Sequence, residues 1–102
     1  MSPHRVGENR PLPPTARFRR KPNVLVRDLG GEAVLLDLDS GRYFGLNATG
    51  VRILELVDGD RSVAEMGRHL TREFTAPPDE IAADLHELLA ALVGEGLLLR
   101  CE

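Results

Sequence analysis

Two spacings of apolar residues divide the body of this chain. Up to Leu46 they fall in short runs, Val24 to Asp28, Glu32 to Leu38 and Arg42 to Leu46, separated by Leu29-Gly30-Gly31 and Asp39-Ser40-Gly41. Runs of this length bounded by Gly and Asp predict three antiparallel strands joined by tight turns, in which Asp and Ser bond the local backbone and Gly supplies a positive φ. From Asn47 onward the apolar spacing changes to three and four residues, the period of a helix face. Asn47 is placed to cap a first helix from about Ala48 to Val57, with Ile53, Leu56 and Val57 on one face. Asp58-Gly59-Asp60 ends it. Ser62-Val-Ala-Glu65 has the form of a capping box, so a second helix should run to about Phe74 and bury Val63, Met66, Leu70 and Phe74. Pro77-Pro78-Asp79-Glu80 restarts the chain with acid in the first turn of a third helix, which reaches Gly94 or Glu95 before Gly96 stops it. Its apolar stripe, Ile81, Leu85, Leu88, Leu89, Leu92 and Val93, is wide enough to face two partners, and Leu97 to Leu99 is a brief extended end.

The predicted order, three strands then three helices, is an α+β body with the topology of a winged helix-turn-helix. Its third strand lies between a tight turn and a helix start, a position easily left at a sheet edge. With 102 residues the chain makes one domain, and with 42% apolar residues it has enough material for a modest core. Aromatic residues are scarce, only Phe18, Tyr43, Phe44 and Phe74, so the core must be aliphatic and stacking platforms for RNA bases are nearly lacking.

Charge separates the first 22 residues from the rest. They hold Arg5, Arg10, Arg17, Arg19, Arg20 and Lys21 against Glu8, which leaves the remainder strongly acidic in a chain of net charge −3. Five prolines and few large apolar groups accompany those charges, so the expectation is a disordered basic, Pro-rich arm over residues 1–22 and a folded domain over 23–102. Such an arm serves as a solubilising tail, or meets an acidic partner surface or the acidic body of its own domain.

The topology raises a DNA-binding reading, a winged-helix transcription regulator using its basic arm. The third helix opposes it: Asp79, Glu80, Asp84, Glu87 and Glu95 accompany no Lys or Arg, whereas binding of this type depends on cations displacing phosphate counterions. Catalysis has no visible basis either. His4, His69 and His86 are scattered, no Ser/His or Cys/His constellation has a strand-turn-helix context, and Cys101 stands alone near the chain end. Asp37-x-Asp39-x-Gly41 faintly echoes a calcium loop, but it has no closing Glu and hairpin-turn chemistry accounts for it. The expectation is therefore no enzyme, no metal and no cofactor. A lone thiol, no apolar run of membrane-spanning length and no signal-peptide core suggest a soluble cytoplasmic protein.

The run from Leu35 to Gly50, reading LLDLDSGRYFGLNATG, followed by Ile53-Leu54, Asp58-Gly59, Ser62-Val63, then Ile81, Asp84, Leu88, Leu92 and Gly96-Leu97, resembles the PqqD family of peptide chaperones, also called RiPP recognition elements. The likeness extends from Val24 to about Leu99 and is closer to generic and lasso-peptide-type members than to those serving pyrroloquinoline quinone synthesis. It implies a winged helix-turn-helix-like fold that binds the leader of a ribosomally made precursor peptide and presents it to a separate maturation enzyme, such as a leader peptidase or a radical SAM enzyme. It also implies where the leader lies: as an added strand on Arg42, Tyr43, Phe44, Gly45 and Leu46, in a groove against the third helix with Ile81, Asp84, Leu85, Leu88 and Leu92. Strand addition suits such an edge, since backbone groups give affinity and pockets for alternate side chains give specificity.

Overall fold

A computed structural model describes residues 12–101. Its elements are β1 (Arg17–Arg20), β2 (Val24–Asp28), β3 (Ala33–Asp37), β4 (Tyr43–Leu46), α1 (Ala48–Leu56), α2 (Val63–Glu73), α3 (Pro78–Gly94) and β5 (Leu98–Cys101). The three expected strands form an antiparallel sheet of order β2-β3-β4, and the three expected helices follow it. The α+β, winged-helix-like body is as the sequence predicted.

Local chemistry places the element ends. Asn47 Oδ1 accepts from the Gly50 amide at 2.9 Å and opens α1. The Ser62–Glu65 box is closed on both sides, Glu65 N to Ser62 Oγ at 3.2 Å and Ser62 N to Glu65 Oε1 at 2.8 Å. At the end of α3, Gly96 takes φ of 75°, its amide donates to Val93 O, and the Leu97 amide donates to Leu92 O. That pair of bonds is a Schellman cap, and it buries Leu97. Arg52 of α1 holds the Glu73 carboxylate of α2 with two fork bonds of 2.6 Å.

One expectation is overturned. The arm drawn to residue 22 is not wholly disordered: β1 pairs antiparallel with β5, Phe18 opposite Arg100, in a second, two-stranded sheet. Ala16 and Phe18, 3% and 1% exposed, point into the core while Arg17 and Arg19 point to solvent, the period-2 alternation of a half-buried strand. The segment is also tied to the α1–α2 loop, since Gly59 N donates to Phe18 O, Val63 N to Ala16 O and Ala64 N to Pro14 O. Burial of one Phe and a row of backbone bonds thus offset the ordering cost that the charges and prolines pointed to. The remainder of that arm, residues 1–11, lies outside the described residues. β5 likewise extends the expected Leu97 to Leu99 end.

Lys21, at the end of the same segment, explains Asp37 and Asp39. Its Nζ donates to Asp37 Oδ1 at 2.8 Å and Asp39 Oδ2 at 2.9 Å, while Asp37 also accepts from the Asp39 amide inside the β3–β4 turn. Both carboxylates of the faint calcium-loop echo are thus engaged by the Lys21 ammonium. Hydrogen bonding to Lys21 holds both carboxyls below the usual carboxylate range and raises the Lys21 ammonium. Depressed carboxylates stabilise the fold above their unfolded values and lose that contribution as pH falls through the folded ones; the raised Lys21 reflects the same contacts, so its part also needs the carboxylates ionised and is otherwise lost only in strong alkali. Lys21→Met should therefore lower the urea midpoint at about pH 7 and approach wild type at about pH 3. An equal difference at both pH values would show that the cluster is not what the substitution removes.

Candidate functional site

β4 is the edge strand of its sheet. Asp37 N donates to Arg42 O at 2.8 Å, so this opposed pair is a hydrogen-bonded one. In an antiparallel ladder such pairs alternate, and with the register Leu36–Tyr43, Leu35–Phe44, Val34–Gly45 and Ala33–Leu46 the backbone of Phe44 and Leu46 is turned to β3. The amides and carbonyls of Tyr43 and Gly45 are turned outward, where no strand of the described residues covers them. Gly45 offers the more open approach, since nothing lies within 4 Å of where its Cβ would be.

Beside that edge runs a groove of about 350 Å³. Phe44, Gly45 and Leu46 form one wall, the start of α1 with Asn47, Thr49, Gly50 and Ile53 forms its end, and Asp84, Glu87, Leu88 and Ala91 of α3 form the other wall. The α3 contributors are spaced i, i+3, i+4 and i+7, one helix flank. Gly50 keeps the junction close: a Cβ there would sit 3.2 Å from Leu46 Cδ2. The lining is mixed, with Phe44, Leu46, Ile53, Leu88 and Ala91 apolar and Asn47 and Thr49 polar, and the α3 wall carries two carboxylates, Asp84 and Glu87, which make no ion pair with any described residue.

Of the residues singled out in the sequence, Phe44, Gly45, Leu46, Asp84 and Leu88 meet in this groove. Arg42 does not line the groove and bridges to Glu95 Oε1 at the α3 terminus at 2.8 Å. Tyr43 contributes outward backbone, but its side chain, 77% exposed, stands on the outer face of the sheet in a row with Leu36 and Leu25. Ile81, Leu85 and Leu92 are buried on the other flank of α3, Leu92 wholly within the core. The stripe does face two ways, as its width suggested, but Ile81, Leu85, Leu89 and Leu92 all belong to the core side. Asn47, Thr49, Gly50, Ile53, Glu87 and Ala91 were not singled out. The i, i+3, i+4, i+7 spacing from Asp84 was the available signal for the last two, masked because it mixes acid with apolar residues.

The sequence profile described as Coenzyme PQQ synthesis protein D (PqqD) matches residues 32–98. A PqqA binding protein of Gluconobacter oxydans (strain 621H) is 35% identical over 97 residues, 95% of each chain. Among solved structures, this fold is similar to a lasso peptide synthetase B1 complexed with its leader peptide, with TM-score 0.69, 33% identity and coverage of 82% of this chain and 99% of that one. It is also similar to the PqqD truncation of Methylobacterium extorquens PqqCD, a stand-alone RiPP recognition element, with TM-score 0.67, 32% identity and coverage of 85% and 98%.

Proposed function

This chain belongs to the PqqD family, and from that premise we propose that it binds the leader region of a ribosomally synthesised precursor peptide by strand addition to β4. The observation that carries this reading is the juxtaposition of outward backbone at Tyr43 and Gly45 with a groove whose far wall is a single flank of α3. Backbone bonding at the edge accepts any extended segment; the apolar part of the lining, Phe44, Leu46, Ile53 and Leu88, selects alternate side chains of that segment. That a lasso-type relative was solved with a leader peptide, and that the curated relative is described by the peptide it binds, supports the assignment. The chain itself performs no chemistry in this scheme. It holds the leader in a cytoplasmic setting for a separate maturation enzyme, a leader peptidase or a radical SAM enzyme. Among the described residues no helix is long and apolar enough to cross a membrane.

The DNA-binding alternative finds no support: the exposed face of α3 carries Asp79, Glu80, Asp84 and Glu87, and the similar proteins point to peptides. One titration tests the choice. A fluorescent leader peptide of the kind bound by the lasso-type relative should bind at physiological salt where duplex DNA does not, and with a shallow salt dependence. Binding of duplex DNA with the steep salt slope of many phosphate contacts would reverse the assignment.

Asp84 and Glu87 make a directional prediction. Asp84→Lys should weaken a leader carrying a basic residue opposite the rim by roughly tenfold, about 1.4 kcal/mol, and strengthen or leave unchanged a leader whose basic residue is replaced by Glu. Anisotropy titrations of both peptides against both proteins give the four values. Equal affinities in all four would remove these carboxylates from recognition.

A further inference from the structure

A second groove, of about 470 Å³, lies on the opposite flank of α3 from the first, between α3 and α2. Val63, Ala64 and Gly67 of α2 and Ile81, Ala82 and Leu85 of α3 line it, and Leu12 and Pro14 of the N-terminal segment form part of its wall. The small residues Ala64, Gly67 and Ala82 keep this face of the two helices low between larger neighbours, so an apolar side chain from outside can lie over them beside Leu12 and Pro14. Every ionisable group on the lining is basic: Arg68, Arg72 and His86. Among the described residues Arg68 and Arg72 make no ion pair, as is also true of Arg17, Arg19, Arg20, Arg27 and Arg100, and these two border an apolar cleft. A basic, apolar groove stands out on a chain whose net charge is −3 and whose other groove is rimmed by Asp84 and Glu87.

We propose that this second groove docks an acidic amphipathic segment of a partner protein, its apolar side chains in the α2–α3 cleft and its carboxylates on Arg68 and Arg72. Charge complementarity decides the occupant. Residues 1–11, the nearest candidate from the chain itself, carry Arg5 and Arg10 against Glu8 and share the sign of the rim. A nucleic acid would find only two guanidinium groups flanking an apolar floor and almost no aromatic residue on which to stack its bases. An amphipathic helix presenting residues at i, i+3, i+4 and i+7 matches a cleft between two helices, and carboxylates on its flanks meet the two free guanidinium groups. α3 would then serve two ligands of opposite charge, one per flank, which is what an adaptor between a peptide and an enzyme requires.

The probe is a synthetic amphipathic helix with Leu at i, i+3, i+4 and i+7 and Glu on its flanks, with a Lys-for-Glu and a Ser-for-Leu counterpart. The full chain should bind the first, and each counterpart should bind at least about tenfold more weakly. The double variant Arg68→Glu/Arg72→Glu should reverse the preference between the Glu and Lys peptides while its affinity for the leader peptide at β4 stays unchanged. Amide shifts on adding the Glu peptide should cluster on α2 and the start of α3. No binding, equal binding of the Glu and Lys peptides, or shifts centred on β4 would each overturn the proposal. So would a dimer in sedimentation that the double variant dissolves, which would make a second copy the occupant, or duplex DNA binding that the same variant abolishes. Leader affinity measured alongside separates these outcomes from a failure of the β4 reading.

Discussion

Gly45→Pro is expected to abolish leader binding while leaving the fold intact. The Gly45 amide is turned away from β3, so proline there removes a donor that the protein itself does not use, at an edge position where proline is tolerated. Space is available for the ring, since nothing surrounds the Cβ position. A leader strand paired to this edge would lose its bond at Gly45 and with it the register of its neighbours, a loss of more than tenfold, or about 1.4 kcal/mol. Gly45→Ala keeps the amide and separates donor loss from added bulk. Phe44→Pro is expected to behave differently, because the Phe44 amide belongs to the β3–β4 ladder and its ring packs on the core; that variant should lose about 3 kcal/mol or more of stability. Circular dichroism and anisotropy on the three variants decide the matter. A folded Gly45→Pro protein that binds leader like wild type would place the peptide elsewhere.

Phe18→Ala should be the most damaging single truncation outside the helical core. The ring is 1% exposed and packed among aliphatic side chains, and its removal leaves a cavity under β1 that the tethered strand cannot collapse into, a loss of about 3–5 kcal/mol. For a domain of this size that corresponds to a melting temperature lower by roughly 12 °C or more. Deleting residues 1–22 should be worse, because it takes Phe18, the Lys21 clamp on the β3–β4 turn and the partner of β5 together. A truncated chain that melts with the full one would return the domain boundary to Asn23. Thermal denaturation of both proteins followed by circular dichroism reads the effect directly.

The contrast between these two experiments shows where legibility ended. The β2-β3-β4 meander, the Asn47 and Ser62–Glu65 caps and the Gly96 stop were all readable, because each depends on residues within a few positions of one another. β1 was not, because its partner strand lies some eighty positions further along and its one large apolar residue is flanked by arginines. The Ala16-x-Phe18 alternation was the only local sign of it.

For the candidate site the division is similar. By itself the sequence determined that a short strand precedes a capped helix, that a third helix carries an over-wide apolar stripe with an acidic face, and that no Lys or Arg sits on that helix. Tertiary structure alone decided which of the stripe's residues are core and which are wall, giving Leu88 to the groove and Leu85 and Leu92 to the interior. It also decided that Tyr43 and Gly45, and not Phe44, turn their backbone groups away from β3. Hydropathy along a chain records that a residue avoids water, and a strand's alternation records only its period. Which neighbour supplies the burial, and which edge of the backbone remains free, depend on the packing angle of α3 and the register of β4, and both are settled between residues far apart in the chain.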